Sequence, residues 1–201
     1  MDATSPRSDS ELVDEALAGS QAAYRSLVLR FERPIFSLIV RMVRHSQLAE
    51  DLTQDVFVKA FRALASYDHQ RKLSSWLFKI AHNATIDHLR KGRLSTVPLD
   101  PARGESPALV ATIADEGVES PEEASERKEL AELLEAAIDE LRSTYREVLL
   151  LRHREELSYQ EIADITGSSL GAVKTNIHRG RKELAEILRG QGLADDPVYD
   201  D

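Results

Sequence analysis

Apolar residues recur at intervals of three and four positions through most of the chain, the spacing that buries one face of an α-helix. The pattern predicts helices over residues 49–64 and 73–93, among others, with Ser74 or Ser75 opening the second and Gly92 ending it. No segment shows the strict polar–apolar alternation typical of a strand, so the pattern predicts an all-α protein.

Capping signals mark three further helix starts. The sequences SDSE, SPEE and SYQE begin at Ser8, Ser120 and Ser158, and each pairs a serine with a glutamate three residues later. Such a capping box satisfies free amide groups of the first helical turn. Pro34 interrupts a helical pattern and predicts a kink or a new helix start.

Residues 94–119 break the helical pattern and predict a linker, because they hold three prolines, two glycines and mostly small or acidic side chains. The chain is therefore predicted to form two small helical domains, over residues 8–93 and 120–189, joined by a flexible acidic linker. The acidic tail over residues 190–201 is expected to be disordered.

The formal net charge of −9 argues at first against nucleic-acid binding, but the negative charge is concentrated in the middle of the chain. Residues 1–93 carry 14 basic and 11 acidic side chains, residues 94–140 carry 3 and 13, and residues 141–201 carry 9 and 11. Phosphate binding depends on charge within a Debye length, about 8–10 Å. Both predicted domains therefore remain compatible with DNA binding.

Several classes of function are disfavoured by what the sequence lacks. The chain contains no cysteine, which excludes disulfides and thiolate metal sites. It shows neither an apolar run of about 18 residues nor a secretory signal. It has no zinc-protease HExxH and no phosphate-binding glycine motif. We expect a soluble cytoplasmic protein without a catalytic site, metal or cofactor.

Two short helical patterns near the C-terminus predict a helix-turn-helix. The first follows the SYQE sequence and directs Ile162 and Ile165 inward. A turn at Gly167 follows, and Ser168 or Ser169 can cap the second helix. Two helices joined by a short glycine-containing turn form the motif that many DNA-binding proteins use.

The second of these helices is predicted to separate its cations from its apolar residues. At about 100° per residue, one side collects Leu170, Val173, Ile177, Gly180 and Leu184. The candidates for duplex DNA contact lie opposite or at the flank: Lys174, Thr175, His178, Arg179 and Lys182. Arg181 lies nearer the buried side and is expected to contact phosphate or to pack. The alternative is an ordinary solvated face of a core helix.

The outer faces of the two earlier helices carry further candidates. The helix over residues 73–93 carries cationic, amide and apolar groups on its outer face, a mixture that suits the binding of single-stranded DNA. These residues are Lys79, His82, Asn83, Ile86 and Arg90. A solvated helix with a buried Trp76 fits this pattern equally well. His82 and His88 do not share a helical face, so they predict no metal site. The helix over residues 49–64 carries Asp51, Gln54, Asp55 and Val58 on its outer face. This face could dock on a protein partner, or it could serve only to make the helix soluble.

Three segments, in this order, resemble the extracytoplasmic-function (ECF) sigma factors of bacterial RNA polymerase. LAEDLTQDVFVKAF at 48–61 is similar to the polymerase-docking helix of the family, and WLFKIAHN at 76–83 is similar to its promoter-melting segment. LSYQEIA at 157–163, followed by GAVK at 171–174, is similar to its C-terminal helix-turn-helix. The sequence departs from the family pattern at two positions. His82 stands where relatives often carry an aliphatic residue, and Asn176 stands where some carry a basic one.

The resemblance implies an alternative sigma factor that binds core RNA polymerase and directs promoter-specific initiation. Asp51, Gln54 and Asp55 would dock on the clamp helices of the largest polymerase subunit. The N-terminal domain would open the promoter element about 10 base pairs upstream of the start, with the loop at 66–75 and Asn83 receiving a flipped base. The C-terminal domain would bind the element about 35 base pairs upstream. The acidic linker would run toward the RNA exit path, and an anti-sigma factor is a further expected partner.

Two other functions remain open. The first is a helix-turn-helix regulator that acts without polymerase docking and whose N-terminal domain serves for dimerisation or sensing. The second is a histidine-dependent metalloenzyme.

Overall fold

The computed structural model describes residues 7–94 and 121–192. Within these ranges the chain is helical and contains no strand, as the pattern predicts. The N-terminal group of helices comprises α1 (Asp9–Leu17), α2 (Gln21–Val43), α3 (Ser46–Ala63) and α4 (Leu73–Leu94). The C-terminal group comprises α5 (Pro121–Glu140), α6 (Ser143–His153), α7 (Tyr159–Thr166) and α8 (Leu170–Gly190). The predicted linker beyond Leu94, the tail beyond Gly192 and the cap at Ser120 lie outside the described residues.

Side-chain caps set the start of the N-terminal helices. The Ser8 amide donates to the Glu11 carboxylate at 2.7 Å, and the Glu11 amide donates to Ser8 Oγ at 3.3 Å, which confirms the capping box. α3 begins earlier than predicted, because His45 Nδ1 accepts a hydrogen bond from the Leu48 amide at 3.2 Å. Histidine is not among the usual capping residues, so the sequence did not reveal this start.

Three predicted helix boundaries need correction. Of the kink or new helix start predicted at Pro34, the new start is wrong. The predicted opening of α4 at Ser74 or Ser75 is also wrong, because α4 begins at Leu73. α2 continues through Pro34, so no new helix starts there. Proline removes one backbone hydrogen bond, but Ile35 and Ile39 are fully buried and hold this stretch in the core. Gly92 does not end α4, which continues to Leu94.

Two glycines shape the C-terminal group. Gly167 ends α7 with φ at +66°, a left-handed conformation that glycine adopts without strain. Gly180 lies where α8 meets α6, and a Cβ placed there would be 3.1 Å from both Tyr145 Cβ and Leu149 Cδ1. The missing side chain therefore permits the close approach of the two helices.

The two groups of helices pack against each other, with α4 on α7 and α2 on α6. Their buried apolar side chains belong to one continuous core. The sequence predicts two domains but gives no indication of this contact. Of the helices described, none is both long and apolar enough to cross a membrane.

Candidate nucleic-acid and polymerase interfaces

α7 and α8 form the predicted helix-turn-helix, held by side-chain caps. The Ser158 amide donates to the Glu161 carboxylate at 2.7 Å, and the Glu161 amide donates to Ser158 Oγ at 3.2 Å. Ser169 caps α8 by accepting from the Ala172 amide at 3.2 Å. The inner faces of the two helices are buried at Ile162, Ile165, Val173 and Ile177. Both helices of the motif are therefore capped at their N-termini and anchored in the core by buried side chains.

The face of α8 that points away from this core is solvent-exposed. It carries all five predicted duplex contacts: Lys174, Thr175, His178, Arg179 and Lys182. The Thr175 hydroxyl donates to the Gly171 carbonyl at 2.9 Å and keeps its acceptor capacity free for other bonds. The placement of Leu170 on the buried side is wrong. It begins the helix, ahead of Val173, and 39% of its surface is exposed.

Arg181 lies at the edge of the exposed face and packs toward α6. Its Nη2 is 3.4 Å from Nε2 of His153. Burial, together with the charges of Arg181 and Arg152, lowers the pKa of His153. Of the two predicted roles for Arg181, this contact favours packing.

The outer face of α4 exposes Lys79, Asn83, Ile86 and Arg90, as predicted. His82 is different, and its predicted outward position is wrong. Its residue surface is only 9% exposed, and its Nδ1 lies 2.5 Å from Oε1 of Glu147 on α6. The helical pattern placed His82 on a polar face correctly, but the C-terminal group covers that part of the face.

The loop between α3 and α4 has a defined shape. The Tyr67 hydroxyl donates to the Arg71 carbonyl at 2.5 Å, and the Tyr67 and Trp76 rings lie 5.6 Å apart. Trp76 is half-buried, rather than fully buried as in the alternative interpretation. Arg71 and Lys72 extend from the rim of this loop and are exposed. The loop thus places exposed cationic side chains beside a partly buried aromatic pair, Tyr67 and Trp76.

α3 presents an acidic and amide face to solvent. Asp51, Gln54 and Asp55 are exposed there, and Val58 is 47% exposed in their midst. The opposite side of α3 is anchored in the core by Leu52, Val56 and Ala60. This face lies on a helix whose opposite side contacts α2 and α4.

A buried arginine joins the two groups of helices. Arg146 on α6 is 3% exposed, and its guanidinium donates to the carbonyls of Ile138 at 2.9 Å and Leu141 at 2.6 Å within the C-terminal group. It also donates across the interface to the Arg41 carbonyl at 2.7 Å. Burial, with the charge of Arg44 adding to it, lowers the pKa of Arg146 to about 10.

Further ionic contacts surround this arginine. Arg41, 5% exposed, bonds to the Glu135 carboxylate and lies 3.2 Å from the Asp139 carboxylate, both on α5. Arg154 bonds to Glu135 at 2.5 Å and reaches Ser37 Oγ on α2 at 3.0 Å. Polar and ionic contacts therefore join α2 to α5 and α6 at this end, beside the shared apolar core.

A separate polar contact links the start of α4 to α7. The Ser75 hydroxyl donates to Glu161 at 2.8 Å, and Lys72 Nζ lies 3.7 Å from the same carboxylate. Arg71 lies 3.8 Å from Asp164. Burial raises the pKa of Glu161, but the hydrogen bonds from Ser158, with Ser75 and Lys72 adding to them, lower it overall. Glu161 thus serves both as a helix cap and as a link between the groups.

The comparisons with known proteins agree with this geometry. Residues 27–94 match the model of sigma-70 region 2, and residues 131–184 match that of sigma-70 region 4. Over 88% of its length the chain is 35% identical to the ECF RNA polymerase sigma factor SigW of Bacillus subtilis, 95% of which is covered. It is 32% identical to RNA polymerase sigma-H factor of Pseudomonas aeruginosa, over 90% of this chain and 94% of that protein.

Two solved structures are also similar. CnrH in complex with the cytosolic domain of CnrY has a TM-score of 0.58 and 26% identity, over 89% of this chain and 96% of that one. The sigma factor RpoE in complex with the anti-sigma factor NepR from Bartonella quintana has a TM-score of 0.62 and 24% identity, over 83% and 96%. The second likeness shows the fold alone. The chain therefore belongs to the ECF sigma factors, the alternative sigma factors that bind core RNA polymerase and direct it to specific promoters.

Proposed function

We propose that this sigma factor recognises the upstream promoter duplex through α8, with Lys174, Thr175, His178, Arg179 and Lys182 as the contacting residues. The observation that carries the proposal is the exposed cationic face of α8 on a buried apolar base. Arginine and lysine donate to guanine edges and to phosphates, and threonine can bond either.

The second DNA contact proposed is the promoter-melting surface of α4. Lys79 and Arg90 would neutralise phosphates, while Asn83 and Ile86 would contact unpaired bases. Trp76, which is half-buried beside this loop and packs on the buried Tyr67 ring, would supply an aromatic surface for an extruded base. His82 would join this surface only after the C-terminal group has moved away from it.

For polymerase docking we propose the face of α3 formed by Asp51, Gln54, Asp55 and Val58. Carboxylates that surround one exposed valine suit a partner surface with basic residues around an apolar contact. The partner surface would be the clamp helices of the largest subunit of core polymerase.

The remaining proposals concern partners and setting. The two similar structures are complexes, of CnrH with the cytosolic domain of CnrY and of RpoE with the anti-sigma factor NepR. We propose an anti-sigma factor as a partner of this protein also. The protein would act in the cytoplasm with the polymerase, without catalytic activity of its own. We further propose domain bounds of 8–93 and 120–189.

In vitro transcription with purified core polymerase tests the proposal. Added protein should produce promoter-specific transcripts from genomic templates. Arg179→Ala should lose promoter selection and keep polymerase binding, whereas Asp51→Ala with Asp55→Ala should lose polymerase binding. A protein that never yields a specific transcript would contradict the proposal.

A further inference from the structure

Gly171 is the second residue of α8, and no contact among the described residues requires a glycine there. A Cβ placed at Gly171 meets no atom of the described residues within 4 Å, whereas a Cβ at Gly180 meets α6 at 3.1 Å. Gly171 also lacks the positive φ that favours glycine at Gly167. Because helices favour alanine over glycine, Gly171 weakens α8 without improving the packing of the described residues.

The position of Gly171 on the helix connects it to the proposed duplex site. Thr175, His178 and Lys182 follow it at intervals of four, three and four residues, which is the spacing of one helical face. All four residues are exposed. Gly171 is therefore the first position of the proposed duplex-contacting face, one turn ahead of Thr175.

This face differs in height along its length. At its N-terminal end Gly171 has no side chain, and the short Thr175 side chain bends back onto the helix, because its hydroxyl donates to the Gly171 carbonyl at 2.9 Å. Towards its C-terminal end, Arg179 and Lys182 carry long side chains. We call the low end, formed by Gly171 and Thr175, the notch of α8.

A notch at this end matters for a helix that enters a DNA groove. An α-helix with its side chains is about 10–12 Å across, and the major groove is about 12 Å wide. The clearance is small, so each side chain on the inserted face affects how deeply the helix lies. The recognition helix of a helix-turn-helix brings its N-terminal residues to the base edges. The notch is thus at the end of α8 where a close approach is needed.

The hydrogen bond within the notch also defines what Thr175 can recognise. Its hydroxyl proton is used by the Gly171 carbonyl, so the hydroxyl oxygen can only accept a hydrogen bond from DNA. In the major groove the base donors are the amino groups of adenine and cytosine. Since the hydroxyl is folded back onto the helix, it meets such an amino group only when the first turn of α8 lies close to the base.

We infer that Gly171 is a positioning residue of the duplex site, whose missing side chain lets the first turn of α8 approach the bases so that Thr175 accepts a hydrogen bond from a base amino group. The inference rests on the proposed function and adds a residue that is not among the proposed contacts. Glycine suits places where a backbone approaches a ligand closely. Its replacement should therefore stabilise the protein and weaken DNA binding, two effects of opposite sign that a purely structural role would not produce.

The test compares two glycines of the same helix in the full-length chain. Gly171→Ala and Gly190→Ala each add a methyl group that meets no described atom within 4 Å. Gly190 ends α8, about 12 Å beyond Lys182 at about 1.5 Å per residue, and lies outside the proposed contacts. In thermal unfolding, Gly171→Ala should raise the melting temperature and Gly190→Ala should not lower it.

Promoter affinity is then measured by gel-shift titration of the polymerase holoenzyme on a promoter fragment that it transcribes. Gly171→Ala should bind about tenfold more weakly, the effect of losing one base contact, and Gly190→Ala should bind like the unmodified protein. Gly171→Leu should bind more weakly still, because a larger side chain holds the helix farther from the bases.

A double-mutant cycle tests the link to Thr175. Thr175→Val keeps the shape of the side chain and removes the hydroxyl, so it should weaken binding about tenfold on its own. Combined with Gly171→Ala it should add little, because the hydroxyl is already held away from its base. Both single variants should also relax the base preference at the same base pair. Additive losses, or relaxed preference at different base pairs, would contradict the positioning role.

Equal promoter affinity of Gly171→Ala and Gly190→Ala would overturn the inference. A loss of stability in Gly171→Ala would also overturn it, because folding itself would then require the glycine. If Arg179→Ala weakens promoter binding and Gly171→Ala does not, the proposed duplex site stands and the role of Gly171 alone fails. A holoenzyme that selects no promoter, or that selects one equally well without Arg179, contradicts the proposed duplex recognition and removes the inference with it.

Discussion

His82 of α4 and Glu147 of α6 face each other at 2.5 Å, although 65 positions separate them in the chain. Both side chains are about nine-tenths buried in this contact. A buried polar pair of this kind is costly to break from one side only, because the remaining partner loses its hydrogen bond without regaining water.

A double-mutant cycle measures this coupling. His82→Asn and Glu147→Gln, alone and together, should give an interaction free energy of about 1–3 kcal/mol in urea unfolding. As a control, the exposed His88→Asn should be additive with Glu147→Gln. Additivity for His82 as well would show that the contact contributes nothing to stability.

Arg179→Ala tests the proposed duplex contact of α8. Loss of a bidentate base contact should weaken binding of the polymerase holoenzyme to the promoter by about 1–3 kcal/mol. Arg25→Ala on α2, also exposed, should leave the affinity unchanged. Equal effects of the two substitutions on promoter affinity in a gel-shift titration would remove Arg179 from the recognition surface.

The proposed docking face of α3 is tested by Asp51→Ala combined with Asp55→Ala. Loss of two carboxylates from a charged interface should slow association with core polymerase and raise the dissociation constant, most clearly at low salt. Fluorescence titration of labelled protein with core enzyme measures the change. Asp14→Ala with Glu32→Ala, exposed acids on α1 and α2, is the matched control. Full affinity in the α3 variant would exclude this face.

Gly180 and Gly171, both on α8, should respond oppositely to a larger side chain. Gly180→Val should destabilise the protein by about 1–3 kcal/mol, because the added atoms meet Tyr145 and Leu149. Gly171→Ala meets no atom within 4 Å and should stabilise it by up to about 1 kcal/mol through helix propensity. Thermal unfolding measures both. A neutral Gly180→Val would mean that α6 and α8 can separate without cost.

Acid should destabilise the protein partly through His153, whose folded-state pKa is lowered by burial and by the neighbouring arginines Arg181 and Arg152. A lowered pKa means that the unfolded chain binds the proton more readily. The stabilising contribution is present above the unfolded pKa of about 6.5 and is lost as the pH falls. Urea midpoints at pH 7.5 and 5.5 should therefore differ less in His153→Gln than in the unmodified protein. The exposed His88→Gln should keep the full difference.

The sequence predicts those features that depend on neighbours along the chain. The capping boxes at Ser8 and Ser158 and the outward cations of α8 follow from spacing alone, and the structure contains them. A new helix start at Pro34 is wrong because core packing of Ile35 and Ile39 maintains α2 where local propensity favours an end. The structure also continues α4 past Gly92 to Leu94.

The contact between the two groups of helices could not be predicted in this way. It depends on polar pairs such as Arg146 with Arg41 and Ser75 with Glu161, which are 105 and 86 positions apart and carry no periodic signal. For the same reason His82 was expected to face solvent, since a helical pattern locates a polar face but does not show what covers it.

The exposed faces of α3 and α8 belong to one chain, so the proposed polymerase site and the proposed duplex DNA site are linked. Two linked binding sites gain a high effective concentration for each other only if both can engage at once. If α3 engages polymerase while α8 engages the upstream element, the two proposed contacts gain avidity. Promoter binding by the holoenzyme should then be stronger than promoter binding by the free protein.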